Sequence, residues 1–359
     1  MTPDEERVAD AETRRTPPTA DMEPWFVFLV VIFIGTGVMQ PLLISTLGNL
    51  GAYDKSTLLF LLPNYVGMTL AAITRHNIFT TGTIRWKKMA ILSSIDVLSQ
   101  FLCQYGLAVA GSSLYIVIYS SCTMWIAVES RILIKRKLAA AQWLGCAIVV
   151  AGLAITGGNV ASTFGDKSGA DIALGASFIL FGSVSHALTW VLVEMMLKGE
   201  VDPVLPEAIS AIMGGAGVCV FGLWQLVYTL PRAEELVHQP IASHGGHIGE
   251  ISTSYIVLTL ASCVHAVTFY HLVGKMGCVT AGVMKGCQAV AVFIGSHVFF
   301  CGFQESQCFT TAKAWSLVLV VAGTTTYALS EGAKGNEVVM DAAEDDGASD
   351  SSYVKVEGP

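Results

Sequence analysis

Along this chain, apolar residues neither alternate with polar ones at the period of a strand nor gather on one side of a short helix. They run nearly unbroken for about 20 residues at a time, separated by short polar joints. Ten runs can be read: 25–47, 57–74, 89–109, 112–134, 140–158, 170–196, 204–230, 251–273, 278–303 and 310–330. At 1.5 Å per residue, a helix of this length crosses about 30 Å of hydrocarbon. Lipid offers no partner to backbone N–H and C=O groups, so only helices or closed barrels span it, and continuous apolarity argues against a barrel. The pattern predicts an all-α integral membrane protein with ten transmembrane helices.

Composition agrees. Of 359 residues, 53% are hydrophobic and 13% charged, with a mean hydropathy of +0.60. Soluble domains carry about 25% charge, so this chain has too few polar residues to cover a water-facing surface. The net charge of −8 resides at the ends. Residues 1–23 hold seven acids and three bases, 331–359 hold eight acids and two bases, and 24–330 hold 13 acids and 15 bases. Both ends are expected to be disordered acidic tails. Basic residues are too dispersed for a nucleic-acid partner; the lipid bilayer is the partner the runs demand. Tyr353-Val-Lys-Val356 has the form of a tyrosine-based sorting signal.

A short match recurs at half the chain. Val149-Val-Ala-Gly152 closes the fifth run and Val320-Val-Ala-Gly323 lies in the tenth, each after a tryptophan, Trp143 and Trp315. This divides the protein into two five-helix halves, 24–158 and 170–330. An odd number of crossings per half inverts the second relative to the first, the organisation in which transporters hold a site near the bilayer midplane. Lys and Arg in short loops set orientation. With the N-terminus in the cytosol, Arg75, Arg85, Lys87, Lys88, Arg131, Lys135, Arg136, Lys137, Lys198 and Lys275 fall inside; Lys55, Lys167, Arg232 and Lys313 fall outside. Both tails are therefore expected in the cytosol.

Ionisable groups inside apolar runs are costly and need a reason. Lys285 lies seven residues into the ninth run, on a stripe with Cys278, Ala281, Gly282, Ala289, Val292 and Ser296, with Gln288 nearby. Small neighbours admit a helix or a solute, and Gly282 with Gly286 has the GxxxG form. Asp96 shares a face of the third run with Ser93, Gln100 and Cys103, where it is able to bind a substrate group, carry a proton or pair with Lys285. The fourth run presents Tyr115, Tyr119 and Cys122 together, with Glu129 further in. Gln40 beside Pro41, and Pro63 beside Asn64, mark candidate kinks facing a cavity. His186 near Trp190, and His265, read as packed, hydrogen-bonded imidazoles. The nine cysteines read as small packing residues. No CxxC occurs, and His238, His244 and His247 read as a solvated loop over 231–250, so neither a metal site nor a disulfide framework is expected.

These residues resemble the drug/metabolite transporter superfamily, and within it the eukaryotic solute carrier 35 group. Arg136-Lys-Leu138 followed by Gln142-Trp143 is similar to that group's R-x-L-x-x-x-Q-W junction between fourth and fifth spans. Ser93-Ser-Ile-Asp96, followed by Tyr105-Gly-Leu107, resembles its F-type branch, and Met284-Lys285-Gly286 resembles the ninth-span L-K-G of nucleotide-sugar transporters. The resemblance covers about 24–330. The nucleotide-sugar branch tends to carry a fourth-span Lys, and counting back from Arg136 puts Cys122 there. A strongly anionic substrate is thus not favoured.

The resemblance implies two pseudo-symmetric bundles and an alternating-access secondary transporter of a small organic metabolite in an endomembrane (Golgi, ER or vacuolar/endosomal). A nucleotide-sugar or sugar-phosphate antiporter is the narrower alternative; a membrane enzyme, or a receptor or scaffold, belongs to other classes. No concentrated catalytic set stands in the sequence, so no enzymatic activity and no cofactor are expected. The expected substrate-binding residues are Lys285, Asp96, Gln100, Tyr115, Tyr119, Gln40 and Gln288. A second copy of the chain is the protein partner left open.

Overall fold

The computed structural model describes residues 24–75, 77–79, 84–110, 115, 118–155, 169–198, 203–302 and 308–350. The tail 1–23, the linker 156–168 and the Tyr353–Val356 motif lie outside the described residues. Among those described there are helices and turns and no strand.

Each apolar run holds one principal helix: α1 (Pro24–Asn49), α2 (Leu62–Leu70), α3 (Trp86–Ala110), α4 (Cys122–Leu133), α5 (Ala140–Ile155), α6 (Gly169–Leu197), α7 (Pro206–Trp224), α8 (Ile248–Met276), α9 (Cys278–Phe300) and α10 (Thr311–Asp350). Among the described residues, six stretches are long and apolar enough to cross a membrane: Pro24–Asn49, Ile172–Leu197, Pro206–Arg232, Ile248–Met276, Cys278–Phe300 and Thr311–Ser330. Leu59–Ile73 and Ala140–Ile155 are shorter apolar helices. The outer surface is apolar to match. Ile73, Phe181, Leu226, Val227, Val298 and Leu329 all point outward, each at least 64% exposed. Water does not solvate such a surface and acyl chains do.

Local chemistry sets the boundaries. Pro63 and Pro206 sit in the first turns of α2 and α7, where a missing N–H costs nothing. Gln142 Oε1 accepts the Ala139 N–H at 2.9 Å and caps the start of α5. α8 passes directly into α9 through Gly277, whose φ of 87° favours glycine. Pro41 lies inside α1, which continues to Asn49 as one helix rather than as two pieces.

Three regions differ from the sequence expectation. The stretch expected as a solvated loop, 231–250, is largely helical: turns over Gln225–Thr229, Leu230–Arg232 and Glu234–His238 lead into a short helix, Gln239–Ser243. Pro231 and Pro240 both fall in first turns, and His244 Nδ1 lies 2.8 Å from the Pro240 carbonyl. α10 continues past Ser330 to Asp350. Cys301 and Cys308, read as packing residues, form a disulfide across the turn between α9 and α10. The α9 end and the α10 approach bring their Cα atoms to 4.5 Å, a proximity that spacing alone does not reveal. The other seven cysteines are free thiols. With its two sulfurs bonded together, the trio His297, Cys301 and Cys308 offers a metal no thiolate.

Packing follows a regular pairing. α3 packs on α6 and α8 on α1; α4 on α6 and α9 on α1; α2 on α7, α4 on α9 and α5 on α10. Glycines carry the closest approach between α5 and α10. A Cβ on Gly145 would lie 2.7 Å from the Gly323 carbonyl oxygen, and one on Gly323 would lie 2.7 Å from that of Gly145. The two helices run antiparallel, since Gly145 meets Tyr327 while Gly152 meets Val320.

Candidate functional site

The helices enclose a central cavity of 450 Å³, within the range of small-molecule sites. Its wall comes from α1, α2, α3, α6, α7, α8, α9 and the helical residues ahead of α4. All seven residues singled out above, Gln40, Asp96, Gln100, Tyr115, Tyr119, Lys285 and Gln288, line this one space.

Lys285 points across the bundle rather than along α9 to its end. Its Nζ lies 4.8 Å from the centroid of the Trp190 indole, a cation–π contact in low dielectric. No carboxylate stands within 4 Å of it among the described residues. Asp96 therefore does not form the ion pair with Lys285 that the sequence allows. Its Oδ2 accepts the Tyr65 hydroxyl proton at 2.8 Å, and the carboxylate is 7% exposed. Both groups nevertheless face one cavity.

Aromatic rings form a continuous wall. Tyr115 and Tyr119 stack with centroids 5.1 Å apart. Tyr119 lies 6.0 Å from the His186 ring, and His186 meets Trp190 edge-on at 5.9 Å. His265 stacks on Phe33 at 4.8 Å, and its Nδ1 is 3.1 Å from Thr36 Oγ1. His265 thus fits the packed, hydrogen-bonded reading. His186 fits only half of it: the residue is buried, but its Nδ1 has no partner among the described residues, as is true of Gln40 Nε2. Gln288 spans to α1, where its Nε2 donates to the Phe33 carbonyl at 2.7 Å. Gly37 makes room for it, since a Cβ there would fall on the Gln288 amide. Ser262 donates to Asn64 Oδ1 at 2.6 Å.

A charged clasp lies beyond the cavity wall, at the start of α9. Glu194, near the end of α6 and 5% exposed, accepts from Lys198 Nζ at 2.8 Å and from the Cys278 backbone N–H at 2.7 Å. The Arg136 guanidinium lies 3.5 Å away and also donates to the Met276 carbonyl. This clasp ties α6, the α4–α5 turn and the start of α9 together. It sits seven residues from Lys285 along α9, about 10 Å at helical rise.

Tyr65, Gln104 and the Trp190–Lys285 contact escape the sequence reading. Gln104 follows Gln100 by one helical turn, so the spacing on α3 carries that signal. Nothing in the sequence marks Tyr65 or the Trp190 contact, because each pairing joins two different helices. Glu129 lies outside this cavity, with its Oε2 unpartnered. A larger space of 580 Å³ between α3 and α7 is lined by Trp86, Leu98, Phe101, Val220 and Trp224, with no charged group among the described residues; it is a groove in the apolar outer surface.

No protein-family model matches the chain. A stretch of 116 residues, 32% of the chain, is 29% identical to the uncharacterized protein C12G12.12 of Schizosaccharomyces pombe, and the match spans 35% of that protein's length. A solved structure described as "Crystal structure of protein" superposes with a TM-score of 0.65 at 16% identity, covering 84% of this chain and 96% of that one. That likeness establishes a shared fold.

Proposed function

We propose that this protein is a secondary transporter that moves a small organic metabolite across a membrane by alternating access. The observation that carries the reading is the central cavity itself. A cation and a carboxylate, neither paired with the other, face a space of 450 Å³ inside an otherwise apolar helical protein. Charges are kept at membrane depth where a solute or ion pathway needs them.

The packing supports two inverted five-helix halves with ten crossings. Exchanging each helix for its counterpart five positions on turns α3–α6 into α8–α1 and α4–α6 into α9–α1, and returns α2–α7, α4–α9 and α5–α10 to themselves. The recurring Val-Val-Ala-Gly segments meet in the same reciprocal way, Val149 against Gly323 and Gly152 against Val320. A two-fold axis makes this kind of contact. The disulfide supports the orientation with cytosolic tails, because Cys301–Cys308 then faces the oxidising side, where such bonds persist. The resemblance to solute carrier 35 points the same way. The Glu194 clasp lies on the cytosolic side in this orientation, with the basic residues of the inner loops.

The test is solute uptake by the full chain in proteoliposomes, with Lys285→Ala and Asp96→Asn as variants. Loss of uptake in both supports a transport site at this cavity. Undiminished uptake in both refutes the site, and failure to move any solute refutes the transporter.

A further inference from the structure

Two unlike spaces meet at Lys285, the central cavity and a neighbouring one, and form a polar and an apolar lobe about it. The polar lobe holds Asp96, Gln100 and Gln40. The second, of 420 Å³, is lined chiefly by apolar groups, among them Ile126, Leu153, Val292 and Phe293. Lys285, Trp190, His186 and Tyr119 line both lobes, so the ammonium stands at their junction. A solute filling both lobes is polar at one end and apolar at the other.

The charges narrow the chemistry. Among the described residues, the wall carries one fixed cation, Lys285, and one carboxylate, Asp96, together with the imidazoles of His186 and His265. Lys285 Nζ donates to no described acceptor and rests only on the Trp190 face. Asp96 spends one oxygen on Tyr65 and leaves the other open. The empty wall is therefore balanced in charge, with a donor site and an acceptor site both unspent. A solute bearing two negative charges leaves a net charge in a low-dielectric chamber, and burying uncompensated charge is costly. A solute with one charge of each sign satisfies both groups and leaves the balance intact. His186 Nδ1, buried at the junction and without a partner among the described residues, offers one further hydrogen bond.

We propose that the solute held here is a zwitterion with an apolar, preferably planar, side group, of the amino-acid type. Its carboxylate meets Lys285, its ammonium meets Asp96 beside Tyr65, and its side group enters the lobe of Ile126, Leu153, Val292 and Phe293. This rests on the transport reading for its biological sense, but the ligand class is tested separately.

Purified full-length protein is heated with phenylalanine, with 2-phenylethylamine, which lacks the carboxylate, with 3-phenylpropionate, which lacks the ammonium, and with a uridine diphosphate sugar. Ligands of the folded state raise the melting temperature. The expected result is stabilisation by phenylalanine, with either half-charged analogue needing at least tenfold more for the same shift. In Asp96→Asn the preference over 3-phenylpropionate disappears. Equal or stronger stabilisation by the nucleotide sugar or by a half-charged analogue overturns the proposal, and so does no stabilisation by any of the four. Counterflow in proteoliposomes separates the two readings. A zwitterion that stabilises but is not carried upholds the ligand class and refutes transport. A nucleotide sugar carried while phenylalanine is not upholds transport and refutes the ligand class.

Discussion

Tyr65 donates its phenolic proton to Asp96 Oδ2 at 2.8 Å, joining α2 to α3 across the wall of the central cavity. The carboxylate is 7% exposed, so this bond stands in for water that the site excludes. Hydrogen bonds to charged groups are worth about 1.5–3 kcal/mol. Tyr65→Phe is therefore expected to lower stability by about that amount in a denaturant or thermal titration. An unchanged midpoint would mean that water already solvates Asp96.

Gln288 and Gly37 form a coupled pair. The Gln288 amide fits above Gly37 and bonds the Phe33 carbonyl at 2.7 Å. Gly37→Ala should displace the amide and cost about 1 kcal/mol. In a Gln288→Ala background the same change should become stabilising by about 0.5–1 kcal/mol, since alanine is the better helix residue. A double-mutant cycle that shows additivity would refute the coupling.

The Glu194 clasp predicts unequal partners. Glu194→Ala leaves the Cys278 N–H, Lys198 and Arg136 facing an emptied buried site. Breaking a buried pair by removing one member typically costs about 3–5 kcal/mol. Lys198 is 40% exposed, and Lys198→Ala should cost less than about 1 kcal/mol. Comparable losses for the two variants in a melting experiment would contradict this geometry.

The disulfide is directly countable. Alkylation of the denatured, unreduced protein should label the seven free cysteines and spare Cys301 and Cys308; reduction should expose both. In the chain-entropy account a closed loop this short contributes about 2.5 kcal/mol, so Cys301→Ser should lower stability by up to that amount. Labelling of all nine before reduction would exclude the bond.

Gly323 sets the separation of α5 and α10, with the Gly145 carbonyl 2.7 Å from where its Cβ would be. Backbone cannot yield as a flexible side chain does. Gly323→Leu should therefore cost more than the 1–3 kcal/mol typical of overpacking, while Gly222→Leu, with nothing within 4 Å, should leave the melting temperature nearly unchanged.

Much of the candidate site was legible in the sequence for one reason. A charge or amide inside an apolar run stands out against its neighbours, and Lys285, Asp96, Gln100 and Gln40 all declare themselves in this way. Tyr115 and Tyr119 followed from helical spacing. Tyr65 and Trp190 were not legible, because an aromatic residue in an apolar run is unremarkable until a charge from a distant helix is set beside it. The bond between Cys301 and Cys308 was hidden similarly: six intervening residues say nothing of whether two sulfurs meet.

Helicity in lipid is a local demand. Every backbone group must bond within its own segment, so hydropathy marked these runs as helices, while caps, prolines and Gly277 set their ends. Partnership is not local. Whether Asp96 turns to Lys285 or to Tyr65, whether Lys285 reaches headgroups or an indole, and whether Glu194 finds a backbone amide at the start of α9 all depend on how separate helices are seated against one another. Glycine contacts and side-chain packing set that seating, and only the folded bundle decided it.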